Sequence, residues 1–171
     1  MSLSWNEDLI REAIRHLDEK TGLSGAELPI RFDNHDRALG WYECEGIRRF
    51  GFKRRFFLSS VIKDCEKIDL IRHEYAHFIV DATHLERYFE QDSRRTSHGD
   101  CWKFACRWVG AMPTRSHDSS AFSNKNWSSE KIQAAFLATD VVQFDIRSFL
   151  KKRNRLPTDE EISNAPSPFI L

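Results

Sequence analysis

The chain has 171 residues, 26 Lys and Arg against 26 Asp and Glu, and 40% hydrophobic residues, a length that fits one domain with a short tail. Thirteen Phe and five Trp supply enough apolar surface for a packed core, which argues against a disordered chain, and zero net charge argues against a strongly basic nucleic-acid coat. No stretch reaches the apolar length of a membrane span, and Met1 to Glu7 lacks the cationic and apolar regions of a signal peptide, so a soluble, cytoplasmic protein without membrane contact is expected. Cys44, Cys65, Cys101 and Cys106 form no Cys-x-x-Cys pair and read as free thiols rather than a disulfide framework.

In chain order, Trp5, Leu9, Ile10, Ala13, Ile14 and Leu17 recur at helical spacing and Gly22 follows, which predicts an amphipathic helix over 5–20. His16 falls on its outer surface. The segments 29–32, 38–44 and 47–58 read as strands, bounded by Asp33-Asn34, Gly40 and Glu45-Gly46, so a small, mostly antiparallel sheet is expected. His35 is read as a turn residue.

From Ser60 the period becomes helical, and apolar residues from Ile62 to Ala82 cover most faces, so this helix should be buried. Residues 84–97 are polar and aperiodic, a loop with room for one helical turn at its start and a position suited to a lid. A second core helix is predicted from about Gly99 to Val109, stopped by Gly110 with Pro113 beyond. Then come a polar loop over 116–126, a helix from Ser128 to Ala138, a strand or helix over 141–153, and a mobile tail, giving one domain over 1–155 and a tail over 156–171.

The buried helix carries His73-Glu74-Tyr75-Ala76-His77. On a helix, residues four apart share a face with Cβ atoms about 6 Å apart, which suits two neighbouring corners of a zinc tetrahedron. Glu74, beside them, can take a proton from water and pass it to a leaving amine, the work of a metallopeptidase. The five letters arise by chance in roughly 2% of chains of this composition, so their setting carries the weight. Two His and a Glu on an otherwise apolar helix need a partner, and the competing explanation is a metal-free core network of His, Glu and hydroxyls.

A catalytic tetrahedral site needs a third protein ligand and an open fourth position. His84, Glu86, Glu90 and His98 are the candidates. The elongated metzincin pattern fails because Val80 and Thr83 stand where Gly and His are required. Glu86 and Glu90 lie in the polar loop, whereas His98, in Ser97-His98-Gly99-Asp100, stands at the start of the second core helix, where packing by Trp102 and Phe104 can fix it.

His73-Glu74-Tyr75-Ala76-His77 followed by His98-Gly99-Asp100-Cys101-Trp102 resembles the SprT-like metallopeptidases, whose signature is H-E-x-x-H and then H-G-x-x-[Phe/Trp]. Phe57-Leu58-Ser59 is similar to that family's strand ending in a Leu-Ser pair, and 109–117 to the stretch bacterial members carry next. The likeness spans about residues 5–118. It implies an α+β, minimal zincin-like fold, with a small antiparallel sheet packed on the H-E-x-x-H helix. It also implies one Zn2+ held by His73, His77 and His98, with Glu74 as general acid/base in hydrolysing peptide bonds of a protein or peptide substrate through a zinc-activated water. No Cys pair follows Cys106, so the zinc ribbon that bacterial members commonly add is not expected.

Spartan-type relatives cleave proteins crosslinked to DNA, which makes DNA-associated proteins a candidate substrate class and DNA a candidate partner. Arg48, Arg49, Lys53, Arg54 and Arg55, interleaved with Phe50, Phe52, Phe56 and Phe57, and the run Lys151, Lys152, Arg153 and Arg155 offer phosphate contacts. The plainer explanation of the first run is a solvated strand face with Phe turned inward. Two other functions compete: a noncatalytic DNA-binding or adaptor module with a structural metal, and a zinc hydrolase of a non-peptide bond. Arg115 and His117, beyond the second helix, and Tyr75 stay outside the candidate site.

Overall fold

A computed structural model describes residues 3–34, 38–88, 97–112 and Arg155. Helix α1 spans Glu7–Thr21, close to the predicted bounds. The Asn6 side chain accepts the Leu9 N–H at 2.8 Å to start it, and Gly22, at φ 71, supplies the left-handed residue that ends it. Its apolar stripe of Ile10, Ala13, Ile14 and Leu17 is buried.

Three short strands follow, β1 (Ile30–Asp33), β2 (Gly40–Glu43) and β3 (Arg49–Lys53), in the order β1-β3-β2. β2 and β3 form the expected antiparallel hairpin, with Tyr42 opposite Phe50. β1, however, pairs with β3 in parallel, Ile30 opposite Phe50, so the sheet is mixed rather than mostly antiparallel. β2 lies on the far side of β3 from β1 and runs antiparallel to it, so the return stroke of the hairpin runs in the same direction as β1.

The third strand is also shorter than predicted. It stops at Lys53, and Arg54–Leu58 forms the short helix α2, which therefore contains most of the Phe57-Leu58-Ser59 segment read as strand. Phe50 and Phe52 alternate and turn to one face of the sheet, both fully buried, but Phe56 and Phe57 are neighbours in sequence and are both buried too. A strand with one covered face cannot bury two successive side chains; a helical turn can.

Helix α3 spans Asp64–Thr83 and carries the His73–His77 motif. Ile68, Leu70, Ile71, Tyr75, Ala76, Phe78 and Ile79 are buried around it, which makes it the central element between α1, β2 and α4. Tyr75 has no exposed surface; its hydroxyl donates to Asp18 Oδ1 at 2.7 Å and lies 2.7 Å from Thr21 Oγ1, both at the end of α1. The same Asp18 accepts the N–H groups of Gly25 and Ala26 at 2.6 and 2.7 Å. α3 ends at His84, whose left-handed backbone (φ 50) turns the chain into a single 3-10 turn over Leu85–Tyr88.

Helix α4 (Asp100–Val109) packs on α3, burying Cys101, Trp102, Phe104, Ala105, Cys106, Trp108 and Val109, and Gly110, at φ 74, ends it as predicted. The architecture is thus α+β, helices on a small three-stranded sheet. Among the described residues no helix is long and apolar enough to cross a membrane. Of the loop expected as a lid over 84–97, residues 89–96 fall outside the described residues, as do the elements over 116–126, 128–138 and 141–153, the tail over 156–171, His35, Glu90, Arg115, His117 and the run 151–153.

Candidate metal centre

Four-residue spacing on α3 brings the rings of His73 and His77 to 5.4 Å between centroids. His98 reaches the same point from the other side. It precedes α4, whose buried residues fix the helix against α3, and extended Gly99 (φ −72, ψ −170) lets the imidazole swing back toward the pair. Its ring lies 5.4 Å from that of His73 and 4.8 Å from that of His77. Its Nε2 stands 3.3 Å from His73 Nε2, and one ring nitrogen from each of the three residues lies within 4.8 Å of the others. Ser97 Oγ, 3.1 Å from His98 Nδ1, holds the far edge of that ring and leaves Nε2 for the cluster.

The donor set fits a cation. Burial, aided by the neighbouring His73 and His98, pulls His77 down to about 3, so it stays a neutral donor at physiological pH. Three imidazole nitrogens this close together could hold a metal ion. These residues therefore fit a metal ion at the wall of the cleft beside them.

Glu74 is 5% exposed, and burial lifts its carboxyl to about 8. Its Oε1 lies 4.0 Å from His73 Nε2. Across from it stands Gly40 on β2: a Cβ there would come within 2.9 Å of both Glu74 Cγ and Oε1. Only a glycine lets the strand approach the carboxylate this closely.

The imidazoles and Glu74 line a cleft of about 690 Å³, together with Gly40, Tyr42, Asp69 and Asp81. Tyr42 donates to Asp81 Oδ2 at 2.7 Å, and Arg48 Nε pairs with the same oxygen at 3.0 Å. Burial and the Asp81 carboxylate push the Tyr42 hydroxyl upward, so it remains a proton-bearing donor. None of these wall residues was in the predicted site. Asp81 was legible in principle, four residues past His77 on the same helical face; Gly40 and Tyr42 enter through the packing of β2 on α3, which leaves no local signature.

Behind the cluster lies Trp102, 1% exposed, its indole centroid 4.7 Å from that of His73, 5.4 Å from that of His77 and 4.6 Å from that of His98. Its Nε1 is buried without a hydrogen-bond partner among the described residues, a loss on the order of 1–3 kcal/mol.

The other candidates stand apart. His84 and Glu86 sit at the outer end of the cleft, their side chains 54% and 43% exposed and 4.0 Å apart, outside the imidazole group. His16 is on the outer side of α1, near Glu19 at 3.4 Å. Arg48 and Arg49 are paired with Asp81 and Glu43, while Phe50, Phe52, Phe56 and Phe57 face the core; Arg54 and Arg55 are exposed. All four cysteines are free, as predicted, with Cys44 alone exposed. Comparison with family models, with curated proteins and with solved structures finds no match.

Proposed function

We propose that this chain is a zinc-dependent metallopeptidase of the SprT-like type, on a minimal zincin-like fold, with His73, His77 and His98 holding one zinc ion and Glu74 as general acid/base. The observation that carries the reading is the arrival of His98, from 21 residues beyond His77, at a pair of imidazoles that helical spacing alone had aligned. A bound zinc supplies Lewis-acid polarisation of a carbonyl oxygen and eases deprotonation of water at neutral pH.

The chain's own groups do the rest. Glu74 stands next to the ligand pair, where a nearby positive charge favours its carboxylate form; an oxygen of that carboxylate takes the proton of the attacking water and returns it to the leaving amine nitrogen. The low-exposure setting of Glu74 strengthens these charge interactions by excluding water. Among the described residues β2 is an edge strand whose Gly40 and Tyr42 line the cleft, which suits strand addition by an extended peptide along the site. Among the described residues three side chains meet beside a cleft, which supports catalysis over a structural metal with four protein ligands.

The substrate is a protein or peptide. DNA-associated proteins are one candidate class, resting on the family resemblance and the exposed Arg54 and Arg55 rather than on the paired arginines of the hairpin.

The test is metal content with proteolysis. Wild type should hold about one zinc per chain and cleave an unfolded protein substrate. His98→Ala should lose both. Glu74→Gln should keep the zinc and lose at least about a hundredfold in kcat. A Glu74→Gln protein with full proteolysis, or a wild type that takes up no zinc, removes this reading.

A further inference from the structure

We infer that Trp102 is a positioning residue for the metal centre: one indole forms the common wall against which all three imidazoles rest. The inference is built on the zinc-site reading above and concerns what holds the ligand rings in place. Trp102 lies on the first turn of α4, four residues after His98, so the helix that delivers the third imidazole also delivers its support.

The contacts differ in kind. The indole is nearly parallel to His77, at an interplanar angle of 26°, and meets His73 and His98 edgewise at 63° and 82°. Each imidazole therefore rests on a different part of one rigid bicyclic ring. This matters because the second side-chain torsion of histidine has a broad, shallow preference and is set by surroundings rather than by a deep rotamer well. Hydrogen bonding does not account for the indole's place. Its N–H has no partner among the described residues, and its surface is almost wholly covered. A phenyl ring or an aliphatic side chain would avoid that orphaned donor but would offer the three rings a smaller surface. Once the imidazoles share the positive charge of a cation, the electron-rich face stacked on His77 favours the loaded state as well.

The 171-residue chain tests this with Trp102→Leu, Trp102→Phe and, as a remote core control, Ile14→Ala in α1, a position with no exposed surface. Two readouts are independent of turnover: zinc affinity by competition with a chromophoric chelator, and the visible absorption of Co2+ at the site, whose intensity reports tetrahedral geometry. Trp102→Leu should weaken zinc binding by about tenfold to a hundredfold, the range for residues that orient metal ligands, and should flatten the Co2+ bands. Trp102→Phe should fall between wild type and Trp102→Leu in both readouts. Ile14→Ala should lower the melting temperature and leave both readouts unchanged. Should Trp102→Leu fail to fold, Trp102→Phe decides on the same two readouts. Wild-type affinity within about twofold and an unchanged Co2+ spectrum in the folded variant would overturn the inference while leaving the zinc reading intact. Equal weakening in Ile14→Ala would overturn it too, since the effect would then follow general stability. A wild type that binds neither ion overturns the zinc reading itself, and this inference with it.

Discussion

Gly40 and Glu74 are in contact across the β2–α3 interface, with no room for even a methyl group on the strand residue. The strand that borders the cleft is thereby set directly against the side chain proposed to move the proton. Gly40→Ala should displace the carboxylate while leaving the imidazoles untouched, so zinc content stays at the wild-type level and kcat falls by about a hundredfold, the cost of misplacing a catalytic group by an ångström. Normal activity in the Gly40→Ala protein would mean that Glu74 has freedom the packing does not suggest.

The metal-free protein should have an unusual dependence of stability on pH. Burial holds the Glu74 proton to about 8, against about 4.5 in the unfolded chain, so the native state keeps a proton that the unfolded state has released. Its contribution is fully present below about pH 4.5 and is lost as pH rises through 8. His77 acts in the opposite sense, its folded value of about 3 lying below the unfolded 6.5, so its contribution is present above 6.5 and is lost as pH falls toward 3. The two offset each other between about 4.5 and 6.5, and stability should decline from 6.5 to 8 by at most about 1.4 kcal/mol per pH unit. Urea midpoints in chelator should trace this decline in wild type and lose it in Glu74→Gln. A decline that survives in the variant belongs to other groups.

Tyr75 sits between the two halves of the metal motif and is bonded to Asp18 and Thr21 of α1. Tyr75→Phe leaves buried Thr21 and half-buried Asp18 short of one hydrogen bond and should cost on the order of 1–3 kcal/mol, read as a drop in the denaturation midpoint. No change would show that water or a shift of Thr21 satisfies Asp18.

The chemistry of the site was more legible than its walls. Helical spacing put His73 and His77 on one face, and the place of His98 at the head of an apolar helix marked it as the third member, since each inference rests on local periodicity. The strand pairing was not legible. Nothing in Ile30–Asp33 says that β1 will join the far side of β3 in parallel, because that depends on the path of the crossover. The aromatic run from Phe50 to Phe57 looked like one strand because its first half alternates; only the adjacency of Phe56 and Phe57 hinted at the helix that follows. The end of α3 at His84 in a left-handed conformation was hidden too, since glycine is the usual signal there and none is present.

Successive residues on a helix are turned about 100° apart, so the direction of one side chain fixes the direction of its neighbours. Because the Tyr75 hydroxyl is held by α1, α3 cannot spin about its long axis without tearing that attachment, and the azimuth of His73, Glu74 and His77 is dictated from the opposite side of the molecule. The aim of the imidazole-bearing face is thus established at a buried point outside the cleft.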